Sequence, residues 1–244
     1  MSGTARDQIL ARIRAANGAA AHPSADPNGP SSPAAGQHAD RDADADAAYE
    51  ALSRRYLRAH HDPAGHDIAA LFAERAADYR AVVERVPEPG AAGLAPAIAG
   101  ILATRAAAVP GPFVIPDGLP AGWLAELTGE ITLARDEPPL PAAELDRMSG
   151  VVTGCAVAVA ETGTIILDHG PRQGRRALTL VPDFHLVVVR EDQIAADLAD
   201  AFARLDPARP HTLISGPSAT SDIELIRVEG VHGPRNLHVL LTGS

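Results

Sequence analysis

The chain has 244 residues, of which 46% are hydrophobic and only 3% aromatic, so its core must consist mainly of Ala, Val, Leu and Ile. The formal net charge of −10 argues against a nucleic-acid-binding protein and against an anionic membrane surface as partner. The single cysteine, Cys155, excludes an intramolecular disulfide and cannot supply the several thiolates of an iron–sulfur cluster. We find neither a secretory signal nor a run of about 18 apolar residues, and therefore expect no membrane span and a cytoplasmic location.

The N-terminal part is predicted to contain a helix and a linker. Residues 7–16 carry isoleucine and leucine at helical spacing, which indicates a short amphipathic helix. Residues 17–46 are mostly Ala, Pro, Gly, Ser and Asp, a composition that buries too little apolar surface to fold and is typical of a disordered linker. We therefore expect the helix and linker to occupy residues 1–46, and one α/β domain to occupy residues 47–244.

Helical and strand patterns alternate through the rest of the chain. Asp67 is the predicted N-cap of an amphipathic helix that ends before Pro87. Further helices or helical turns are expected at residues 48–60, 95–108, 123–127, 145–148 and 192–205. Strands are expected at residues 112–116, 131–133, 151–160, 164–167, 186–189, 212–214 and 237–241. This alternation predicts an α/β protein with an open, mainly parallel sheet that is covered by helices on both faces.

Three segments are predicted to lie at the carboxyl ends of strands, where open α/β sheets bind ligands. The first is the turn Glu161-Thr162-Gly163 between two apolar strands. Glu161 in this turn is a candidate nucleophile or general base, with Thr162 and Gly163 as candidate binding residues. The alternative is a hairpin turn in which the carboxylate of Glu161 is simply solvated.

The second segment, residues 214–224, places several hydroxyl groups and a glycine directly after a strand. Its candidate binding residues are Ser215, Gly216, Ser218 and Asp222. Hydroxyl and backbone N–H groups in such a loop can bind a carboxylate or a phosphate. The loop lacks the lysine of a P-loop, and an ordinary capped turn is the alternative interpretation.

The third segment brackets His232 with two glycines just before the last strand, and makes His232 a candidate proton carrier with Gly233 beside it. Arg175 and Arg176 are weaker candidates for clamping an anion. Cys155 is expected to be a small buried core residue. No motif indicates a flavin, a nicotinamide or a metal site, so no cofactor is identified from the sequence.

Four segments in the C-terminal part, taken together and in this order, resemble the lactate utilization protein C family, whose members carry the LUD domain. These segments are residues 152–164, 173–185, 214–218 with 222–224, and 230–234 with 237–239. The helix at residues 71–86 and the N-terminal residues 9–14 resemble the same family.

The resemblance implies a fold similar to that of ribose-5-phosphate isomerase A, coenzyme A transferases and 5-formyltetrahydrofolate cyclo-ligase. It also implies that the protein works with two iron–sulfur sister proteins in oxidising L-lactate to pyruvate. In that family the cluster-binding cysteines belong to the sister proteins, in agreement with the single cysteine of this chain.

Three hypotheses follow for the function of the chain. The first is an accessory subunit of a lactate-oxidising system with a small-carboxylate pocket lined by Glu161, Ser215, Ser218 and His232. The second is a stand-alone acyl-transfer or ligase-type enzyme with Glu161 as nucleophile, as in the similar coenzyme A transferases. The third is a non-catalytic scaffold that docks on a sister protein through the helix at residues 7–16.

Overall fold

The computed structural model describes residues 67–86, 91–220, 228–229 and 233–243, together with Arg12, Tyr49 and Ala51. The predicted linker and the predicted helix at residues 48–60 lie outside these residues, apart from Tyr49 and Ala51, and so does the predicted domain boundary at residue 47. The chain divides into two units, Met1–Arg55 and Tyr56–Ser244, and every element described is in the second unit.

Strands and helices are numbered in chain order. The described strands are β1 Val82–Val86, β2 Phe113–Ile115, β3 Leu133–Arg135, β4 Gly150–Gly154, β5 Val157–Val159, β6 Thr164–Leu167, β7 Phe184–Arg190, β8 Ile194–Ala195, β9 Thr212–Ile214, β10 Ala219–Thr220, β11 Val228–Glu229 and β12 Asn236–Thr242. The α-helices are α1 Ile68–Asp78, α2 Ala91–Ala108, α3 Ala142–Leu145 and α4 Leu198–Ala203, and 3₁₀ turns span Ala121–Leu124, Arg176–Thr179 and Glu191–Gln193.

Six parallel strands form the main sheet in the order β1-β12-β7-β4-β2-β3. The central strands β4 and β7 are almost entirely buried, as expected for parallel strands covered on both faces. The predicted α/β class with an open, mainly parallel sheet is confirmed. Similarity to the ribose-5-phosphate isomerase A and coenzyme A transferase fold stays a prediction.

A second sheet of four strands, in the order β8-β5-β6-β9, was not expected. The strand predicted at residues 151–160 is in fact two strands: β4 belongs to the main sheet, and β5 pairs with β6 as an antiparallel hairpin in the second sheet. The chain leaves one sheet for the other at Cys155 and Ala156. Because both strands are buried, their residues form one continuous apolar run in the sequence. The position where the chain passes from one sheet to the other therefore could not be predicted.

The two faces of the main sheet are covered differently. On one face Val187, Val189 and Val239 pack with α1 and with residues of the second sheet, including Ile165 and Leu167. On the other face, side chains of β4, β7 and β12 pack against α2 and the turn that contains Trp123. The second sheet therefore takes a position that the sequence analysis assigned to helices.

Two predicted helices are shorter in the structure. Asp67 caps α1 as predicted, since its Oδ1 accepts a hydrogen bond of 2.9 Å from the amide of Ala70. The helix ends at Asp78, and Arg80 then adopts a left-handed φ of 69° before the chain enters β1. The β-branched residues of Val82–Val86 favour this edge strand over a further helical turn.

The helix predicted at residues 192–205 is confined to Leu198–Ala203. Ile194, near the start of the predicted helix, lies instead in β8, where it pairs with Ala158. Phe202 is half exposed rather than in the core. The prediction was wrong because the apolar residues of this stretch have helical spacing, although the stretch contains a two-residue strand.

We expect the close packing of the β5–β6 turn on α1 to be sensitive to a single methyl group. Gly163 has a φ of 61°, and a Cβ there would lie 2.5 Å from the amide nitrogen of Ala76. Gly163→Ala should therefore lower the free energy of unfolding by about 2 kcal/mol or more. Chemical denaturation measures this change.

Gly100→Ala is the matched control. Gly100 lies inside α2, and a Cβ there would meet nothing within 4 Å. Alanine at this exposed helical position should raise the free energy of unfolding by about 0.5–1 kcal/mol. Equal effects of the two substitutions would contradict the packing of Gly163 against α1.

Candidate functional site

Most of the predicted binding residues surround one cavity of about 260 Å³. The loop after β9 contributes Ser215, Gly216 and Ser218, the segment before β12 contributes Gly233, and the 3₁₀ turn before β7 contributes Arg176. Residues that are distant in sequence are therefore brought together in the described part of the chain. Hydroxyl groups and one guanidinium are groups that bind carboxylates.

The Ser215 loop is held by two close contacts. Gly216 has a φ of 84°, and a Cβ there would lie 2.6 Å from the carbonyl oxygen of Tyr79, just after α1. The amide of Ser218 donates a hydrogen bond of 2.8 Å to the carbonyl oxygen of Pro234, which ties this loop to the segment before β12. These backbone contacts therefore fix the position of the loop that forms one wall of the cavity.

The Glu161 turn is a hairpin turn beside this cavity and not part of its lining. Glu161 is exposed, and its amide donates a hydrogen bond of 3.1 Å to the carbonyl oxygen of Ala196. A chain of hydroxyl groups joins the two loops: Thr162 Oγ1 lies 2.7 Å from Thr164 Oγ1, which lies 2.8 Å from Ser215 Oγ. The catalytic role of Glu161 stays a prediction.

The cavity lies at a different edge of the main sheet from the one predicted. We expected all three segments at the carboxyl ends of strands in one sheet. The Glu161 turn and the Ser215 loop instead follow β5 and β9 of the second sheet, and Gly233 precedes β12. Because β7 and β12 are parallel and adjacent, the cavity lies at their amino ends. The error arose from assigning every strand to a single sheet.

The two candidate arginines have different environments. Arg175 Nε donates a hydrogen bond of 2.6 Å to Asp136 Oδ2, and a second of 3.0 Å runs from Nη2 to Oδ1. Burial by itself raises the pKa of Asp136, but the hydrogen bonds from Arg175 and from the amide of Leu140 outweigh it and hold this pKa below its usual range. Arg175 is thus bound to a carboxylate of the protein, whereas Arg176 lines the cavity. Asp222 and His232 lie outside the described residues.

His185 also lines this cavity, although the sequence did not single it out as a binding residue. It is fully buried on β7 in the lining of the cavity, and its Nε2 lies 2.7 Å from Thr153 Oγ1. Its Nδ1 has no hydrogen-bond partner among the described residues. Burial lowers the pKa of His185 to about 3, so the imidazole is uncharged at neutral pH. A polar residue inside the apolar run of residues 184–189 was the available signal in the sequence.

Cys155 is buried, as expected of a small core residue. Burial raises the pKa of its thiol to about 12, and the thiolate is therefore a negligible fraction at neutral pH. Among the described residues, no group of three or more His, Cys, Asp or Glu side chains is placed to hold a metal ion.

No helix in the described part of the chain is long and apolar enough to cross a membrane.

The C-terminal part of the chain, residues 143–242, matches the LUD domain family. This stretch contains β4 to β12 and all the cavity residues described above. Fold and site therefore define a LUD-domain α/β protein.

The full-length relatives give a more specific assignment. Lactate utilization protein C of Deinococcus radiodurans is 51% identical over 181 residues, which cover 72% of this chain and 80% of that protein. The protein of the same name from Geobacillus kaustophilus is 30% identical over 56% of this chain and 65% of its own length. This chain belongs to the lactate utilization protein C family, and the predicted resemblance is confirmed.

A solved structure agrees with this assignment. The crystal structure of a DUF162 family protein from Deinococcus radiodurans has 45% sequence identity and a TM-score of 0.59. The match covers 72% of this chain and 97% of that chain. The α/β fold described above is therefore similar to one that has been determined experimentally.

We expect the buried imidazole of His185 to make stability depend on pH. The unfolded chain takes up a proton at this histidine near pH 6.5, whereas the folded chain does so only near pH 3. Protonation therefore favours the unfolded chain, and the free energy of unfolding falls as the pH decreases from about 6.5 towards 3. The loss due to His185 should reach about 2 kcal/mol at pH 5.

Urea denaturation of the wild type and of His185→Gln, each at pH 7 and pH 5, measures this contribution. The wild type should lose about 2 kcal/mol more than the variant between the two pH values. Other titrating groups contribute equally to the loss of stability in both proteins, and the substitution itself has the same effect at both pH values. Both contributions therefore drop out when the two losses are subtracted. Equal losses would contradict the depressed pKa of His185.

Proposed function

We propose that this chain is a cytoplasmic component of a system that oxidises L-lactate to pyruvate with iron–sulfur partner proteins. The similarity over 80% of a relative named lactate utilization protein C carries this proposal. The single cysteine supports the proposal that the iron–sulfur clusters belong to the partner proteins. One buried thiol cannot hold such a cluster, so the partners would carry the electrons.

The cavity beside the Ser215 loop is the proposed binding site for lactate or pyruvate. The cavity, of about 260 Å³, is smaller than the sites of about 300–1,000 Å³ that hold drug-sized ligands. Its size therefore suits a ligand as small as a three-carbon acid. Arg176 is the proposed partner of the ligand carboxylate. Ser215, Ser218 and the neutral His185 are the proposed partners of the oxygen on the second carbon.

The hydroxyl chain supports this assignment of the serines. Ser215 Oγ and Thr164 Oγ1 lie 2.8 Å apart, and Thr162 extends the chain away from the cavity. A hydroxyl has one proton to donate and lone pairs to accept, so this chain can reverse its direction. Ser215 can thus donate to the keto oxygen of pyruvate or accept from the hydroxyl of lactate without moving.

Direct binding tests the site. Isothermal titration calorimetry on the full chain should detect L-lactate and pyruvate, and Arg176→Gln should weaken both by about tenfold or more, because it removes a charge-assisted hydrogen bond. Arg147→Gln is the matched control, since Arg147 is exposed and lies outside the cavity lining. Unchanged affinity in Arg176→Gln would remove this assignment.

Propionate provides a sharper test of the serine residues. It has the shape of lactate without the oxygen on the second carbon, so it should bind about tenfold more weakly or worse. Ser218→Ala should reduce the preference for L-lactate over propionate while leaving propionate binding unchanged. Equal affinity of the wild type for propionate and L-lactate would show that the hydroxyl groups do not recognise that oxygen.

The pathway is tested by growth. A strain that lacks this protein should not grow on L-lactate as sole carbon source, and the wild type or Arg147→Gln should restore growth. Arg176→Gln should restore it poorly. Growth of the deletion strain, in the absence of another lactate-oxidising enzyme, would refute the proposed function.

A further inference from the structure

A second cavity, of about 410 Å³, opens at the opposite edge of the main sheet. It lies at the carboxyl ends of the adjacent strands β4 and β7, where Cys155 follows one strand and Arg190 ends the other. Ligands of open α/β sheets gather at the carboxyl ends of neighbouring parallel strands. The proposed lactate site does not use this edge.

The loop that forms one wall contains a backbone conformation that favours glycine. Arg172 has a φ of 72°. Its backbone is fixed on both sides, because its amide donates a hydrogen bond of 2.8 Å to the carbonyl oxygen of Asp117 and its own carbonyl accepts one of 2.9 Å from the amide of Gly154. A side chain with a Cβ costs free energy in this conformation, and such residues cluster at functional sites.

Further contacts make this loop rigid. His169 also has a left-handed φ, of 56°, and its ring nitrogens lie 3.0 Å from the carbonyl oxygen of Gly174 and 2.9 Å from Thr212 Oγ1. Gln173 donates from Nε2 to Asp168 Oδ1 at 2.6 Å and accepts from the amide of Asp168 at 2.7 Å. The position of the Arg172 Cα is therefore set before any ligand arrives.

The other arginines around this cavity already have carboxylate partners. Arg190 pairs with Asp192 at 2.9 Å, and Arg204 pairs with Asp200 at 2.7 Å. Asp168, on the same wall, is paired with Arg209 at 3.0 Å.

Arg172 differs from these residues. Its guanidinium has no hydrogen-bond or ion-pair partner in the described parts of the chain. The remaining carboxylate of the lining, that of Asp206, is exposed and accepts a hydrogen bond of 2.9 Å from the amide of Ala208. The half-buried guanidinium of Arg172 is thus available to a ligand at the carboxyl ends of β4 and β7, on a rigid and strained loop.

We propose that this cavity binds a small organic anion larger than lactate, with a carboxylate or phosphate group on Arg172. Apolar side chains on the lining, those of Val157, Pro171 and Leu205, provide a surface for the body of the ligand. The volume falls within the range of sites that take up small organic molecules and cofactors. This site is separate from the proposed lactate site and does not depend on it.

Arg172→Gly tests the proposal without disturbing the fold. Glycine adopts a φ of 72° without strain, so the midpoint of thermal unfolding of this variant should equal or exceed that of the wild type. Binding should nevertheless be lost. Pyrophosphate and citrate, titrated separately by calorimetry into the full chain, represent the phosphate and carboxylate alternatives.

The wild type should bind at least one of these anions, and Arg172→Gly and Arg172→Gln should each weaken that binding about tenfold or more. Arg147→Gln should bind like the wild type, and saturating L-lactate should not displace the anion. The proposal is overturned if neither anion binds, if Arg172→Gly binds as the wild type does, or if L-lactate competes. None of these results depends on whether the lactate site exists.

Discussion

The close approach of two glycine turns to the C-terminal end of α1 is the constraint on which the cavity beside the Ser215 loop depends. Gly163 packs on the backbone of Ala76, and Gly216 packs on that of Tyr79, with no room for a Cβ at either glycine. These contacts set the spacing between the β5–β6 hairpin and the loop after β9. The hydroxyl of Ser215 can therefore reach Thr164 of the hairpin, and Ser215 also lines the cavity.

The sequence predicted the parallel core well and the arrangement of the second sheet poorly. Strand β7 could be recognised because a continuous run of Val and Leu is typical of a strand buried on both faces. The end of α1 was missed because Val82, Val83 and Val86 continue an apolar helical pattern, and only pairing with β12 decides in favour of a strand. Long-range pairing of this kind leaves no local signal.

Prediction of the site residues depended in the same way on long-range packing. Ser215, Ser218 and Gly233 were predicted because hydroxyl and glycine residues next to strands indicate binding loops, and the structure places all three in the lining of one cavity. His185 was missed because a histidine within an apolar strand resembles a core residue until its neighbours are known. Arg176 was predicted together with Arg175, and only the contact of Arg175 with Asp136 distinguishes the environments of the two.

The buried state of His185 bears on how such a site would discriminate between acids. A protonated imidazole beneath the cavity would attract any anion and would strengthen the binding of propionate as much as that of lactate. Because burial keeps the ring neutral at physiological pH, the positive charge among the proposed ligand partners comes from Arg176. In the proposed site, neutral groups that donate or accept hydrogen bonds would then recognise the second-carbon oxygen. Separating the charged contact from the neutral contacts would let the proposed site distinguish a 2-hydroxy acid from a plain carboxylate.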